Sequence, residues 1–252
     1  MSEATNEFVN LSVENIDSEH LCCIIRTKIK HPGVEAKRQW LKERLPEGHV
    51  FRKLNAKATV FIEYAPLEKA WVPIMGDNYI YIYCLWVLGD AKGKGYGKAL
   101  MEYCIEDARA AGKSGVCMLG SAKQKSWLSD QSFAKKFGFK QVDNTKNGYE
   151  LLALSFDGTL PYFANQAKQM RIDHDQLSIY YDCQCPYVHQ VIPNIKAYCE
   201  ANAVEYELIQ IESLSQAKAL PCVFNNFAVF YKGKFETVNL LDSKALERIL
   251  KK

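Results

Sequence analysis

Three short stretches hold residues able to do chemistry. Val87 to Leu100 reads VLGDAKGKGYGKAL, with Gly93, Gly95 and Gly97 set among Lys92, Lys94 and Lys98. Glycines at a strand-to-helix turn let the backbone fold tightly and expose successive N–H groups. The helix that follows adds the positive end of its dipole. Such a turn can cradle a pyrophosphate, and it can also be an ordinary turn. Its spacing is neither that of a P-loop nor that of a dinucleotide-binding βαβ unit. The second stretch is TVFIEYAP, where Glu63 stands near the end of an apolar run. A carboxylate there is either a general base or a solvated strand-end residue. The third is YYDCQCPYVHQ, with Cys183 and Cys185 one residue apart where an apolar run meets a helix. A helix N-terminus lowers a thiol pKa and so activates it. Cys183, Cys185 and His189 fall within one turn and lack a distant fourth ligand, so no metal is expected there.

The elements that must position these residues follow from hydrophobic periodicity and turn residues. Residues 7–13 read as a short strand, and Asp17 or Ser18 as the cap of a short helix carrying Cys22 and Cys23. A helix is expected over Val34–Leu45, stopped by Leu45-Pro46-Glu47-Gly48. Strands are expected at His49–Leu54, Ala58–Tyr64 and Ala70–Ile74. Tyr79–Val87 (YIYIYCLWV) is a near-continuous aromatic and β-branched run, as in a strand buried on both faces. A helix over Gly97–Ala111 places Leu100, Met101, Cys104, Ile105 and Ala108 at helical spacing. A strand at Val116–Leu119, a helix at Gln131–Phe137, and strands at Val142 and Tyr149–Phe156 complete the first pattern. Residues 158–175 have no clean period and read as a connector, with a short helix at Tyr162–Met170. Then strand (Leu177–Tyr181), helix (Pro186–Ala201), strand (Val204–Ile211), short helix (Ser213–Lys218), one or two strands to Val238 and a helix (Ser243–Leu250) form a second α/β pattern.

On these residues the first part resembles the GNAT acetyltransferases. Their motif [Q/R]-x-x-G-x-[G/A] falls with Lys92 in the basic position and with Gly95 and Gly97 as the small residues. FAKKFGF, Phe133 to Phe139, is similar to the family's F-Y-x-K-x-G-F helix end. The resemblance covers about residues 7–156. It implies an α/β GNAT acyltransferase fold, a mixed, splayed central sheet flanked by helices, and acetyl-CoA as donor substrate. Backbone groups of Leu85, Trp86 and Val87 would pair with the pantetheine arm, and those of Gly93, Lys94, Gly95, Tyr96, Gly97 and Lys98 would hold the pyrophosphate. Two departures stand out. Lys92 lacks the planar fork of arginine, and Ala134 occupies the position of the family's common tyrosine, the acid toward the leaving thiolate. The tail resembles a thioredoxin/glutaredoxin fold, through Cys185-Pro186-Tyr187-Val188 at a strand-to-helix junction, Pro193 in the helix, and Leu220-Pro221 where that family has a cis-proline. A GNAT part with such a tail resembles the YoaP-like acetyltransferases. Glutaredoxins carry cysteine where this chain has Val188, which excludes a dithiol cycle through that pair. The tail either keeps Cys185 as a monothiol or shapes the acetyltransferase pocket.

Composition narrows the classes further. The chain has 252 residues, 48% hydrophobic and 24% charged, with a net charge of +3. It shows no basic stripe for nucleic acid and no apolar run long enough for a membrane span. The N-terminal residues lack the pattern of a signal peptide, so a cytoplasmic location is expected, and the nine cysteines read as free thiols. The expected organisation is an acetyltransferase domain over 1–157, a connector over 158–175 and a small thioredoxin-like α/β domain over 176–252. The expected activity is direct acetyl transfer in a ternary complex to a small-molecule amine acceptor, with Glu63 and Cys185 as candidate catalytic residues, and with a homodimer left open. The competing reading is a non-catalytic acyl-CoA-binding or thiol-responsive module.

Overall fold

The computed structural model describes residues 7–21, 24, 31–123, 125, 127–129 and 131–252. Seven strands build the larger sheet: β1 (Phe8–Asn10), β2 (Val50–Leu54), β3 (Val60–Pro66), β5 (Tyr79–Val87), β6 (Gly115–Ser121), β7 (Lys140–Asn144) and β8 (Tyr149–Ser155), in the order β1-β2-β3-β5-β6-β8-β7. Every neighbouring pair is antiparallel except β5 and β6. That parallel pairing begins at Tyr79–Gly115 and ends at Ile82–Met118. Beyond it β5 stays paired with β3 as far as Val87, while β6 stays paired with β8 as far as Ser121. The sheet is therefore splayed, and one backbone edge of Leu85–Val87 is left open. Helices α1 (Pro32–Arg44), α2 (Tyr96–Ala110) and α3 (Gln131–Lys135) flank it.

A β-bulge tunes the centre of this sheet. Glu63 pairs with Cys84 but Tyr64 pairs with Ile82, so Tyr83 is the extra residue. An extra residue reverses the alternation of side chains beyond it. Ile80 and Ile82 before the bulge, and Leu85 and Val87 after it, thus all pack toward α2. Tyr79, Tyr81, Tyr83, Cys84 and Trp86 all face the opposite core.

A second sheet of four strands, in the order β11 (Tyr206–Gln210), β10 (Leu177–Tyr181), β12 (Phe227–Tyr231), β13 (Lys234–Thr237), carries α5 (Val188–Ala201), α6 (Leu214–Lys218) and α7 (Ser243–Leu250). β10 is parallel to β11 and antiparallel to β12. Between the two sheets the chain is tied down. β9 (Tyr162–Phe163) pairs with β4 (Ile74–Met75), and α4 (Asn165–Gln169) follows. One continuous apolar core joins both sheets, from Trp40, Phe51 and Tyr81 to Val223, Phe224 and Phe230. The half-buried ammonium of Lys218 donates to the carbonyls of Leu67 (2.8 Å) and Ile74 (2.9 Å), so α6 is fastened to the larger sheet's side.

Several expectations differ from these elements. Asp17 and Ser18 lie in turns and cap no helix, and Cys22 and Cys23 lie outside the described residues. Of the strand expected at Ala70–Ile74 only Ile74 pairs, as the first residue of Ile74–Met75. The preceding Leu67–Lys69 is a 3-10 turn, and the Trp71 amide donates to the Tyr83 hydroxyl instead of to a strand. The connector holds a strand as well as its helix. α5 begins at Val188 because the preceding residues form a turn closed by Val188 N–H to Cys185 C=O (3.2 Å). Pro221 follows a trans peptide bond, unlike the cis-proline of the thioredoxins.

One close approach makes the two sheets interdependent. A Cβ on Gly33, in the first turn of α1, would run into the carbonyl oxygen of Pro186. The Gly33→Ala variant should therefore lose about 1–3 kcal/mol of stability, read by urea unfolding, through displacement of α1 from the 183–187 turn. An unchanged midpoint would show that α1 and this turn are not in contact in solution.

Candidate active site

Where β5 and β6 part, a groove of about 610 Å³ runs along the open edge of Leu85, Trp86 and Val87 to the start of α2. Gly93 (φ 77°) and Gly95 (φ 83°) both lie in the left-handed region, which a side chain disfavours. Gly97 is different. Its φ is ordinary, and a Cβ there would make only normal contacts with Phe133 and Val87. The first N–H groups of a helix have no intrahelical acceptor, and α2 presents those of Tyr96, Gly97 and Lys98 to the groove. Lys92 and Lys98 line it, but Lys94 is not among the lining residues. Ala134 lines the far wall with Met118, Ser129 and Phe133. Among the described residues the hydroxyl groups bordering the groove are therefore those of Tyr96 and Ser129.

Glu63 is not a solvated strand-end residue. It is fully buried, at the bulge. One carboxylate oxygen accepts from Lys37 Nζ (2.6 Å) and Gln184 Nε2 (2.9 Å), and the other meets His49 Nε2 (3.0 Å). Burial pushes its pKa up, but the Lys37 ammonium and then His49 outweigh this and hold the carboxyl below its ordinary range. Burial holds His49 below its usual pKa, against the pull of Glu63. The site thus contains an ionised carboxylate, an ammonium and a neutral imidazole.

The middle residue of Cys183-Gln184-Cys185 completes this cluster. Its carbonyl accepts from Lys37 Nζ (2.7 Å), its side-chain oxygen from Asn226 Nδ2 (3.0 Å), and its N–H donates to Asp182 Oδ1 (2.9 Å). Gln184 came from the tail and Glu63 from the first sheet, and neither sequence position signals the other. Lys37 did carry a signal. It lies with Gly33, Trp40 and Leu41 on the buried stripe of α1, where a lysine requires a partner. Asp182, buried beside the cluster, has its pKa pushed up to about 7, first by burial and also by the Glu63 charge.

Cys185 faces a second cavity, of about 190 Å³, walled by Glu63, Lys37 and Gln184 on one side and by aromatic rings on the other. Cys84 lines the same cavity from β5. Cys183 points elsewhere: its sulfur lies 3.7 Å from His189 Nε2, and burial pushes its thiol up to about 11. Among the described residues no cluster of three or more His, Cys, Asp or Glu side chains suits a metal ion. Trp86 and Leu88 line both this cavity and the groove, so the two spaces meet at the end of β5.

A model of the acetyltransferase (GNAT) family matches residues 17–139, and one described as YoaP-like matches residues 206–248. A Bacillus subtilis (strain 168) protein named "Uncharacterized N-acetyltransferase YoaP" is 36% identical over 245 residues, covering 96% of this chain and 98% of that protein. The chain belongs to the GNAT family of N-acetyltransferases. In this family acetyl-CoA is the acyl donor. Among solved structures, a PaiA N-acetyltransferase from Thermoplasma acidophilum in complex with coenzyme A aligns with 60% of this chain and 98% of its own, at 16% identity and TM-score 0.41. A GNAT family acetyltransferase from Brucella melitensis in complex with acetyl-CoA aligns with 63% and 94%, at 13% identity and TM-score 0.38. No helix among the described residues is long and apolar enough to cross a membrane.

Two measurements test this geometry. Calorimetry with acetyl-CoA should show weakened binding for Gly95→Ala, whose turn is strained by a side chain, and near-normal binding for Gly97→Ala; the reverse ranking would contradict the groove. Asp182 has a folded pKa above its unfolded one, so its contribution to stability is fully present below about pH 4 and lost as pH rises toward 7. Asp182→Asn should therefore gain on the native protein by a few kcal/mol, about 4 at most, between pH 4 and 8. Urea unfolding across that range reads the difference, and a pH-independent gap would refute it.

Proposed function

We propose that the protein transfers acetyl directly from acetyl-CoA to a small-molecule amine, with both bound together. The observation that carries this reading is the meeting of the two cavities at Trp86 and Leu88, with the Glu63 carboxylate in the wall of the smaller one. In this reading pantetheine adds along the open edge of Leu85–Val87 as an extra strand would. The pyrophosphate rests on the turn from Gly93 to Lys98, with Lys92 and Lys98 supplying charge and Lys94 facing solvent nearby.

The amine attacks the thioester carbonyl and forms a zwitterionic adduct. Its N–H is far more acidic than a free ammonium, so a carboxylate held below its ordinary pKa is basic enough to take that proton. Glu63 is the acceptor, with Lys37 and His49 stabilising its ionised form. Collapse of the adduct expels CoA thiolate and leaves the amide; the thiolate takes up the proton released from nitrogen. No tyrosine acid is needed at Ala134 for this balance.

We read residues 1–157 as the acetyltransferase domain, 158–175 as a tethered connector and 176–252 as a thioredoxin-like domain. The strand order β11-β10-β12-β13, with one parallel and two antiparallel pairings, supports that last description. Its Cys-Pro-Tyr turn has a structural task here, as a wall of the acceptor cavity, with Cys185 contributing a thiol to that wall and Gln184 orienting Glu63.

Glu63→Gln should lower kcat about 100-fold or more, as expected for a lost general base. Gln184→Ala removes a donor that favours ionised Glu63, so the acid limb of kcat/KM should move to higher pH while acetyl-CoA affinity stays unchanged. An unshifted pH profile would remove Gln184 from the active site, and full activity of Glu63→Gln would remove Glu63 as proton acceptor.

A further inference from the structure

The acceptor cavity is small and unevenly furnished. Its volume of about 190 Å³ compares with an apolar cavity of about 150 Å³ that holds benzene. It therefore has room for one ring and a short arm. Four aromatic rings line it: Phe61 and Trp86 from the larger sheet, Tyr187 from the turn before α5, and Trp127, whose ring centre lies 5.4 Å from that of Tyr187. Trp127 is 38% exposed, and its backbone makes one tie to the second sheet's side. It adopts φ 66°, and its carbonyl accepts from Asn225 Nδ2 at 2.7 Å. A bulky residue held in the left-handed region marks a position that the surroundings over-determine.

The polar end is built for a single N–H group. An ionised carboxylate offers about four acceptor directions, and Lys37, Gln184 and His49 occupy three of those on Glu63. By that count the fourth direction belongs to the oxygen that meets His49, and because Glu63 is fully buried a donor reaches it only where a side chain of the wall gives way. The charges in the wall also balance: the Lys37 ammonium is engaged by Glu63 (2.6 Å) and the Gln184 carbonyl (2.7 Å). A carboxylate on the acceptor would find no other cation among the described lining residues. A second ammonium would find no carboxylate besides Glu63 among the described lining residues.

We propose that the acceptor is an arylalkylamine: one flat aromatic ring, an arm of a few atoms and a primary amine, with no carboxylate and no second ammonium. The ring stacks among Trp86, Trp127 and Tyr187, and the amine donates into the open direction of Glu63. This rests on the acetyltransfer reading above and narrows it. It also makes the C-terminal turn a specificity element, because Gln184 and Tyr187 belong to it.

The test uses the full chain with acetyl-CoA and three amines: 2-phenylethylamine, phenylalanine, which adds only a carboxylate, and 1,4-diaminobutane. Thiol release and product mass give kcat/KM. Tryptophan fluorescence in the presence of CoA gives binding without turnover. The expected result is a preference of at least 100-fold in kcat/KM for 2-phenylethylamine over both others. Tyr187→Ala and Trp127→Ala should each raise its KM about tenfold while leaving acetyl-CoA affinity unchanged. Equal or better use of phenylalanine or the diamine overturns the acceptor class and leaves acetyl transfer standing. Selective binding of 2-phenylethylamine without turnover supports the class and overturns the transfer. Neither binding nor turnover of 2-phenylethylamine, or a KM indifferent to both ring variants, overturns the class.

Discussion

A carboxylate taken wholly out of water dictates much of this structure. Leaving such a charge unpaired in a protein interior costs several kcal/mol, and removing one partner of a buried pair costs about as much. Glu63 therefore requires a cation and further donors. The cation, Lys37, comes from α1, a helix otherwise packed by Trp40 and Leu41. One further donor, His49, precedes β2, and another, Gln184, comes from beyond the connector. Meeting these needs forces α1, the larger sheet and the 182–187 turn into one arrangement. The shared apolar core and the Lys218 tie hold the same arrangement from the other side.

The splay and the bulge divide β5 between two tasks. After Ile82 the strand loses its parallel neighbour, which opens an edge toward the groove. One residue later the bulge turns Cys84 and Trp86 to the face of the smaller cavity while Leu85 and Val87 pack toward α2. A single strand thereby presents backbone to one cavity and side chains to another. The distance between the two spaces is set by one strand's width and not by loop positions.

Much of both sheets could be read from residue pattern. Tyr79–Val87 and Leu177–Tyr181 have the bounds that their apolar runs suggest, and the glycines at 93 and 95 mark a turn that needs positive φ. These are local signals. The environment of Glu63 was not local. The bulge at Tyr83 arises from pairing between strands, and nothing in YIYIYCLWV announces it. Gln184 was hidden by its neighbours, since two cysteines draw attention to their own sulfur and away from the amide between them. The Ala70–Ile74 segment failed for a related reason: its composition suits a strand, but Trp71 gives its N–H to a side chain, so no ladder forms. Lys37 alone was available in principle, as a lysine on an apolar helical stripe.

The order in which these parts lie along the chain has a consequence for synthesis. The ribosome delivers the strand edge and glycine turn of the groove, residues 85–98, and the Glu63–Lys37 pair well before Gln184, Tyr187 and the Asn225–Asn226 turn. The residues beyond the connector are thus the last of the smaller cavity's wall to be made. Until they are in place Glu63 lacks its Gln184 donor, and water can take up that lone pair. Completion of the polypeptide thus supplies the last donor to Glu63 and closes the smaller cavity.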